Sequence, residues 1–113
     1  MNTTESMKEP LFLGLDLSTQ GLGAVAVDDK LAILAEFDVR FDEDLARFGT
    51  AGGVHRGADG VTVTSPALMW VAALDLLLER MKAADFPFAR IAAVSGSGQQ
   101  HGSVWLGAAI EDM

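Results

Sequence analysis

Two short polar stretches carry the residue types that can do chemistry in this chain. The first, Asp16-Leu17-Ser18-Thr19-Gln20-Gly21, follows the apolar run Leu11-Phe12-Leu13-Gly14-Leu15. A carboxylate at the end of a buried strand can hold Mg²⁺, which prefers oxygen ligands and keeps much of its hydration shell. The hydroxyls and turn amides beside it can donate to phosphate oxygens. An ordinary polar turn between two strands has the same composition, and this stretch alone leaves both readings open. The second stretch, Ser95-Gly96-Ser97-Gly98-Gln99-Gln100-His101-Gly102-Ser103, follows the apolar run Ile91-Ala92-Ala93-Val94. Glycines let a backbone approach a ligand, and amides beside an imidazole suit a polyhydroxylated molecule. A histidine satisfied inside the core is the alternative for His101.

Elements must bring these stretches together. Leu22 to Val27 reads as a small apolar strand, and Asp28-Asp29-Lys30 as a tight turn. From Leu31 to Phe41 the chain alternates, with Ile33, Ala35, Phe37, Val39 and Phe41 on one side and Glu36, Asp38 and Arg40 on the other. The opening forty residues thus predict a three-stranded antiparallel meander with the acidic stretch at its first turn. Residues 42–63, rich in glycine and charge, read as a long loop, with His55 as a solvated loop histidine. Ser65 as a cap and Pro66 at the first position then start a helix. Its expected inward stripe is Leu68, Val71, Leu74, Leu78 and Met81, widened by Trp70, Ala73 and Leu77, and Phe86-Pro87 ends it. A strand, a helix and a second strand in that order make the Ile91 run a parallel neighbour of the first strand. Both polar stretches then fall at one end of the sheet, where open parallel sheets hold ligands.

The sequence resembles the amino-terminal part of the FGGY carbohydrate kinases and, within them, the eukaryotic-type xylulose kinases. The likeness is carried by Leu13-Gly14-Leu15-Asp16-Leu17-Ser18-Thr19-Gln20 and by Phe48-Gly49-Thr50-Ala51-Gly52-Gly53-Val54-His55. It continues through Asp59-Gly60-Val61-Thr62-Val63-Thr64-Ser65-Pro66, Leu68-Met69-Trp70, and Ser95 to Val104. The resemblance implies an α/β, ribonuclease H-like or actin-like ATPase fold, incomplete here: a meander, a crossover helix and a parallel strand. It implies transfer of the γ-phosphoryl group of ATP to D-xylulose, with ATP and Mg²⁺ as cofactors. Asp16, Ser18, Thr19 and Gln20 match the family's phosphate loop, with Asp16 the candidate for the metal. His101 and Gln100 match its sugar-binding loop, where an imidazole suits hydrogen bonding to sugar hydroxyls. The family's catalytic aspartate, most of its adenine pocket and its second lobe lie beyond the likeness, so no catalytic base is assigned and the isolated chain is expected to be inactive. The ending departs from the pattern, with Val104-Trp105-Leu106 where relatives show Val-Tyr-Trp.

Composition narrows the classes. At 113 residues the chain is one domain at most, read as a flexible start over 1–10 and a partial kinase domain over 11–113. Half of the residues are hydrophobic, which is ample for a core, yet charges interrupt every run long enough to cross a bilayer. The absence of cysteine removes disulfides, thiolate metal sites and thiol nucleophiles together. A net charge of −8 argues against nucleic acid as a partner, and no secretory signal is present, so the expected location is the cytoplasm. An uncovered sheet face and edge predict self-association. Two rivals stand beside the main reading: another FGGY kinase acting on glycerol, gluconate or ribulose, and a non-catalytic fragment that binds a partner.

Overall fold

The computed structural model describes residues 9–98. Gln100 and His101 lie outside the described residues, as does most of the 1–10 start. Glu9, however, is tied down: its carbonyl accepts a hydrogen bond from Arg90 Nε at 2.9 Å.

Strands β1 (Leu11–Leu17), β2 (Gly21–Val27) and β3 (Ile33–Arg40) form the expected antiparallel meander. Strand β6 (Ile91–Ser97) lies parallel to β1, so the four-stranded sheet has the order β3-β2-β1-β6. Between them stand a short helix α1 (Phe41–Asp44), a two-residue ladder of β4 (His55–Arg56) with β5 (Val63–Thr64), and helix α2 (Ala67–Ala83). The core sits between α2 and one face of the sheet, where Leu11, Leu13, Leu22, Ala24, Ala26 and Val39 meet Met69, Ala73, Leu77 and Met81, with Phe41 closing one end.

Five expectations need correction. Strand β3 begins at Ile33 and not at Leu31, because the Asp28 carboxylate accepts from Lys30 N and Ala32 N, both at 2.9 Å, and Leu31 takes a positive φ of 66°. That side chain–backbone turn competes with the ladder. Inward alternation accordingly starts late: Ile33 is 62% exposed, while Val39 is buried. Residues 42–63 are not a featureless loop, since they hold part of α1, a 3₁₀ turn at Ala46–Phe48 and the β4–β5 ladder.

The other three corrections concern α2 and β6. Ser65 does not cap the helix; Pro66 occupies the cap position, and the Ser65 hydroxyl donates instead to the Gly53 carbonyl at 3.1 Å. The buried stripe is Met69, Ala73, Leu77 and Met81, whereas Leu68, Val71, Leu74 and Leu78 are exposed. The segment is apolar nearly all round, so periodicity fits two stripes. The stripe that closes carries small Ala73 into a cluster with small Ala24 and Ala26, which lets helix and sheet approach closely. The C-terminus ends in a Schellman arrangement, with Phe86 N donating to Met81 O and Asp85 N to Lys82 O, both at 3.0 Å. Lastly, β6 extends through Ser95, Gly96 and Ser97, so the second polar stretch starts as ladder and not as loop.

Candidate functional site

Parallel pairing of β1 and β6 decides where the site lies. Register places Ser95 beside Gly14 and Ser97 beside Asp16, so the described start of the second polar stretch lies at the end of the sheet that carries the first. Asp16 falls on the face turned away from α2, because its strand neighbours Leu15 and Leu17 pack against the core cluster. On that open face the register forms a row across the four strands: Asp38, Gly23, Asp16, Ser97. A side chain added to Gly23 would meet only the Phe37 carbonyl oxygen, at 4.0 Å, so the glycine leaves the space between the two carboxylate positions open. Two shallow concavities of ≈ 270 and ≈ 390 Å³ share Asp16, Gly23 and Asp38 in their walls, and the smaller adds Ser18, Gln20 and Arg40.

The Ser18–Gly21 turn is built by its own hydrogen bonds. Ser18 N and Ser18 Oγ donate to the Gly21 carbonyl at 2.9 and 3.2 Å, and Gln20 N donates to Ser18 Oγ at 3.4 Å. Gly21 admits no side chain, because a Cβ there would collide with the Val39 carbonyl oxygen. The structure therefore brings Asp16, Ser18 and Gln20 together around one concavity, with Thr19 at the tip of the turn. Among the described residues no hydrogen bond or ion pair engages the Asp16 carboxylate. Arg40 lies 3.9 Å from the Asp38 carboxylate with both side chains largely exposed, a weak and screened pair.

Sequence reasoning missed the residues that hold this turn from outside. The Gln20 carbonyl accepts from Phe41 N at 3.0 Å. Gly53, at φ +79°, is buried against the turn, where a Cβ would overlap the Thr19 carbonyl oxygen and lie 2.9 Å from its carbon. Gly53 is in turn fixed by Asp42, whose carboxylate accepts from Thr50 Oγ1 at 2.7 Å, Gly52 N at 2.7 Å and Gly53 N at 3.0 Å. These bonds, the Thr50 hydroxyl foremost, hold the Asp42 carboxyl below its ordinary range. The signal was available as an acidic residue ahead of Thr50-Ala51-Gly52-Gly53, since two successive left-handed glycines aim their N–H groups at one anion.

A second clamp joins the layers. Arg80 on α2 donates to the Asp38 carbonyl at 2.8 Å and to the Asp44 carboxylate at 3.1 Å, and Arg40 N donates to the same carboxylate at 2.8 Å. The Arg80 hydrogen bond, then that of Arg40 N, pulls the Asp44 carboxyl below its usual range, outweighing a small opposing effect of burial. His55 is exposed, as expected, yet not free: its Nε2 lies 2.6 Å from the Phe48 carbonyl, which requires the proton on Nε2. Trp70, expected in the core, packs half-buried against the core cluster. Among the described residues no helix is long and apolar enough to cross a membrane, and no group of three or more acidic, histidine or cysteine side chains gathers around a metal position.

Comparison with known proteins extends this picture. No family model matches the chain. A xylulose kinase of Rattus norvegicus is 59% identical over 93 residues, covering 82% of this chain and 17% of the relative. Xylulose kinase 2 of Arabidopsis thaliana is 48% identical over 98 residues, 86% of this chain and 18% of the relative. The xylulose kinase of Saccharomyces cerevisiae is 42% identical over 102 residues, 90% of this chain and 17% of the relative. In three dimensions the chain superposes on a crystal structure of a "xyloylose kinase" from Brucella ovis with a TM-score of 0.68 and 27% identity, covering 87% of this chain and 18% of that one. The chain thus spans under a fifth of the length of the proteins it matches.

Proposed function

We propose, from its likeness to xylulose kinases over most of its own length and under a fifth of theirs, that the chain supplies the phosphate-binding turn of an ATP-dependent D-xylulose kinase of the FGGY family. The observation that carries the reading is the 59% identity to a xylulose kinase over 82% of this chain, taken together with a turn that opens onto a concavity lined by Asp16, Ser18 and Gln20. The reaction moves the γ-phosphoryl group of ATP to a hydroxyl of D-xylulose. The sugar oxygen forms the new P–O bond, the bond to ADP breaks, and the hydroxyl proton passes to a base that this reading assigns to no residue of the chain.

The residues present fit a Mg²⁺ ion accompanying ATP. Asp16 offers a hard oxygen donor, unengaged among the described residues, at the edge of an open concavity. A single protein carboxylate agrees with Mg²⁺, which takes most of its ligands from water and phosphate oxygens. Bound there, the ion would neutralise charge on the transferring phosphates. Asp16 would hold it, while Ser18, Thr19 and Gln20 would line the path of the phosphate chain, the Ser18 hydroxyl exchanging its bond to the Gly21 carbonyl for one to a phosphate oxygen. Gln100 and His101, which follow Ser97 in the chain, are proposed to grip the sugar hydroxyls.

The test begins with the intact mass of the protein purified from its own cells, followed by incubation with MgATP and a panel of D-xylulose, glycerol, gluconate and ribulose. ADP release with preference for D-xylulose is expected if that mass is far above 11.9 kDa. No ADP release from such a protein, or preference for another sugar, overturns the reading. The isolated chain of 113 residues is expected to be inactive, because a phosphate turn without a base lacks most of the positioning that makes transfer fast.

A further inference from the structure

The segment after β3 does more than connect elements. It touches the Ser18–Gly21 turn at two points, through Phe41 N on the Gln20 carbonyl and through the α-carbon of Gly53 against the Thr19 carbonyl. Both contacts sit beside one carboxylate. Asp42 follows Phe41 directly, and it binds the N–H groups of Gly52 and Gly53 and the hydroxyl of Thr50. Ser65, ahead of α2, holds the other side of Gly53 through its carbonyl. Gly53 is thus gripped at its N–H and its C=O, and its missing side chain is where the turn rests. Its φ of +79° and that of Gly52, +64°, are angles that other residues adopt only at a cost, so the grip and the glycines support one another.

From this geometry we propose that Asp42 is a positioning residue for the Ser18–Gln20 turn, acting through Gly52 and Gly53. Its ligand-binding consequence rests on the proposed reading of that turn as a phosphate site; its effect on the turn's backbone does not. Asp42 is exposed on the far side of the glycine pair and does not line the concavity that Asp16, Ser18 and Gln20 share. A group built to contact ligand would face that concavity. A group built to hold its wall need not, and the carboxylate's bonds point back into the protein.

The experiment uses the ¹⁵N-labelled chain and Mg²⁺ with inorganic tripolyphosphate as the probe. Asp42→Asn keeps the shape of the side chain but replaces one acceptor oxygen by a donor that faces a donor. Asp59→Asn is the control, because Asp59 makes a similar set of bonds to Val61 and Thr62 in the same segment. Asp42→Asn should displace the amide resonances of Thr19 and Gln20 and weaken tripolyphosphate binding by roughly tenfold or more, as small misplacements in binding geometry do. Asp59→Asn should move neither. Thr50→Val removes one donor to the same carboxylate and should shift the same resonances less; it decides the matter if Asp42→Asn fails to fold. Unmoved Thr19 and Gln20 resonances in the variants that fold would overturn the proposal, as would equal shifts in Asp59→Asn. Shifted resonances without any tripolyphosphate binding by the unmodified chain would uphold Asp42's role and remove the phosphate reading.

Discussion

Asp85 stands at φ 58°, in the left-handed region, to close the end of α2 over Phe86. Glycine is the residue that takes this angle without crowding its Cβ, so Asp85→Gly should stabilise the chain by about 0.5–1 kcal/mol. Thermal unfolding would show this as a higher Tm, and an unchanged or lower value would mean that the Asp85 side chain contributes more than its strain costs. Asp59 presents a different residue-scale effect. The Thr62 hydroxyl, then the Thr62 and Val61 N–H groups, lower its carboxyl from 3.8 to about 2. Because the folded value lies below the unfolded one, the stabilisation is fully present above about pH 4 and is lost as pH falls toward 2. The Thr62 amide resonance should therefore titrate with a midpoint near 2. A midpoint near the ordinary 3.8 would mean that these bonds do not favour the charged form.

At the scale of elements, α2 offers the sharpest test of the fold. Leu77 is fully buried, whereas Leu78, beside it in sequence, is 39% exposed. Leu77→Ala should cost about 2–5 kcal/mol through lost burial and a cavity. Leu78→Ala should cost well under half of that, and chemical denaturation of both variants would measure the difference. The opposite ranking would restore the stripe that periodicity alone suggests. The strands were more legible than this helix. In β1 and β2 the residues that face the core, Leu11, Leu13, Leu22, Ala24 and Ala26, alternate with residues on the other face, as the period of a strand requires. In α2 leucine, valine, alanine and methionine surround the axis, so the winning face is chosen by the surface it meets. Ser65 was misread for a related reason: a serine ahead of a helix is a sound cap on local grounds, but here its hydroxyl finds a better partner in Gly53, distant in sequence.

Taken as a whole molecule, the described chain leaves one side of its sheet open. Strand β6 ends the strand order, and beyond half-buried Ile91 its residues are exposed, with Val94 at 58%. An edge with an apolar residue and unpaired backbone groups is a template for pairing with another chain. We expect the isolated chain to self-associate with rising concentration in analytical ultracentrifugation, and Val94→Lys to shift it toward monomer, since a charge on an edge disfavours pairing. A chain that stays monomeric at high concentration without the substitution would contradict this. The sequence by itself determined the meander, the crossover, the parallel placement of the Ile91 run and the polar composition of the Asp16–Gly21 turn. Those features follow from alternation, turn chemistry and chain order, all of which act between near neighbours. Only the tertiary structure decided which face of α2 turns inward, that Asp16 shares a row with Gly23, Asp38 and Ser97, and that Gly53 rests against the Thr19 carbonyl. Each of these depends on residues far apart in the chain meeting at a particular register, and contact between distant segments leaves no period in the sequence to read.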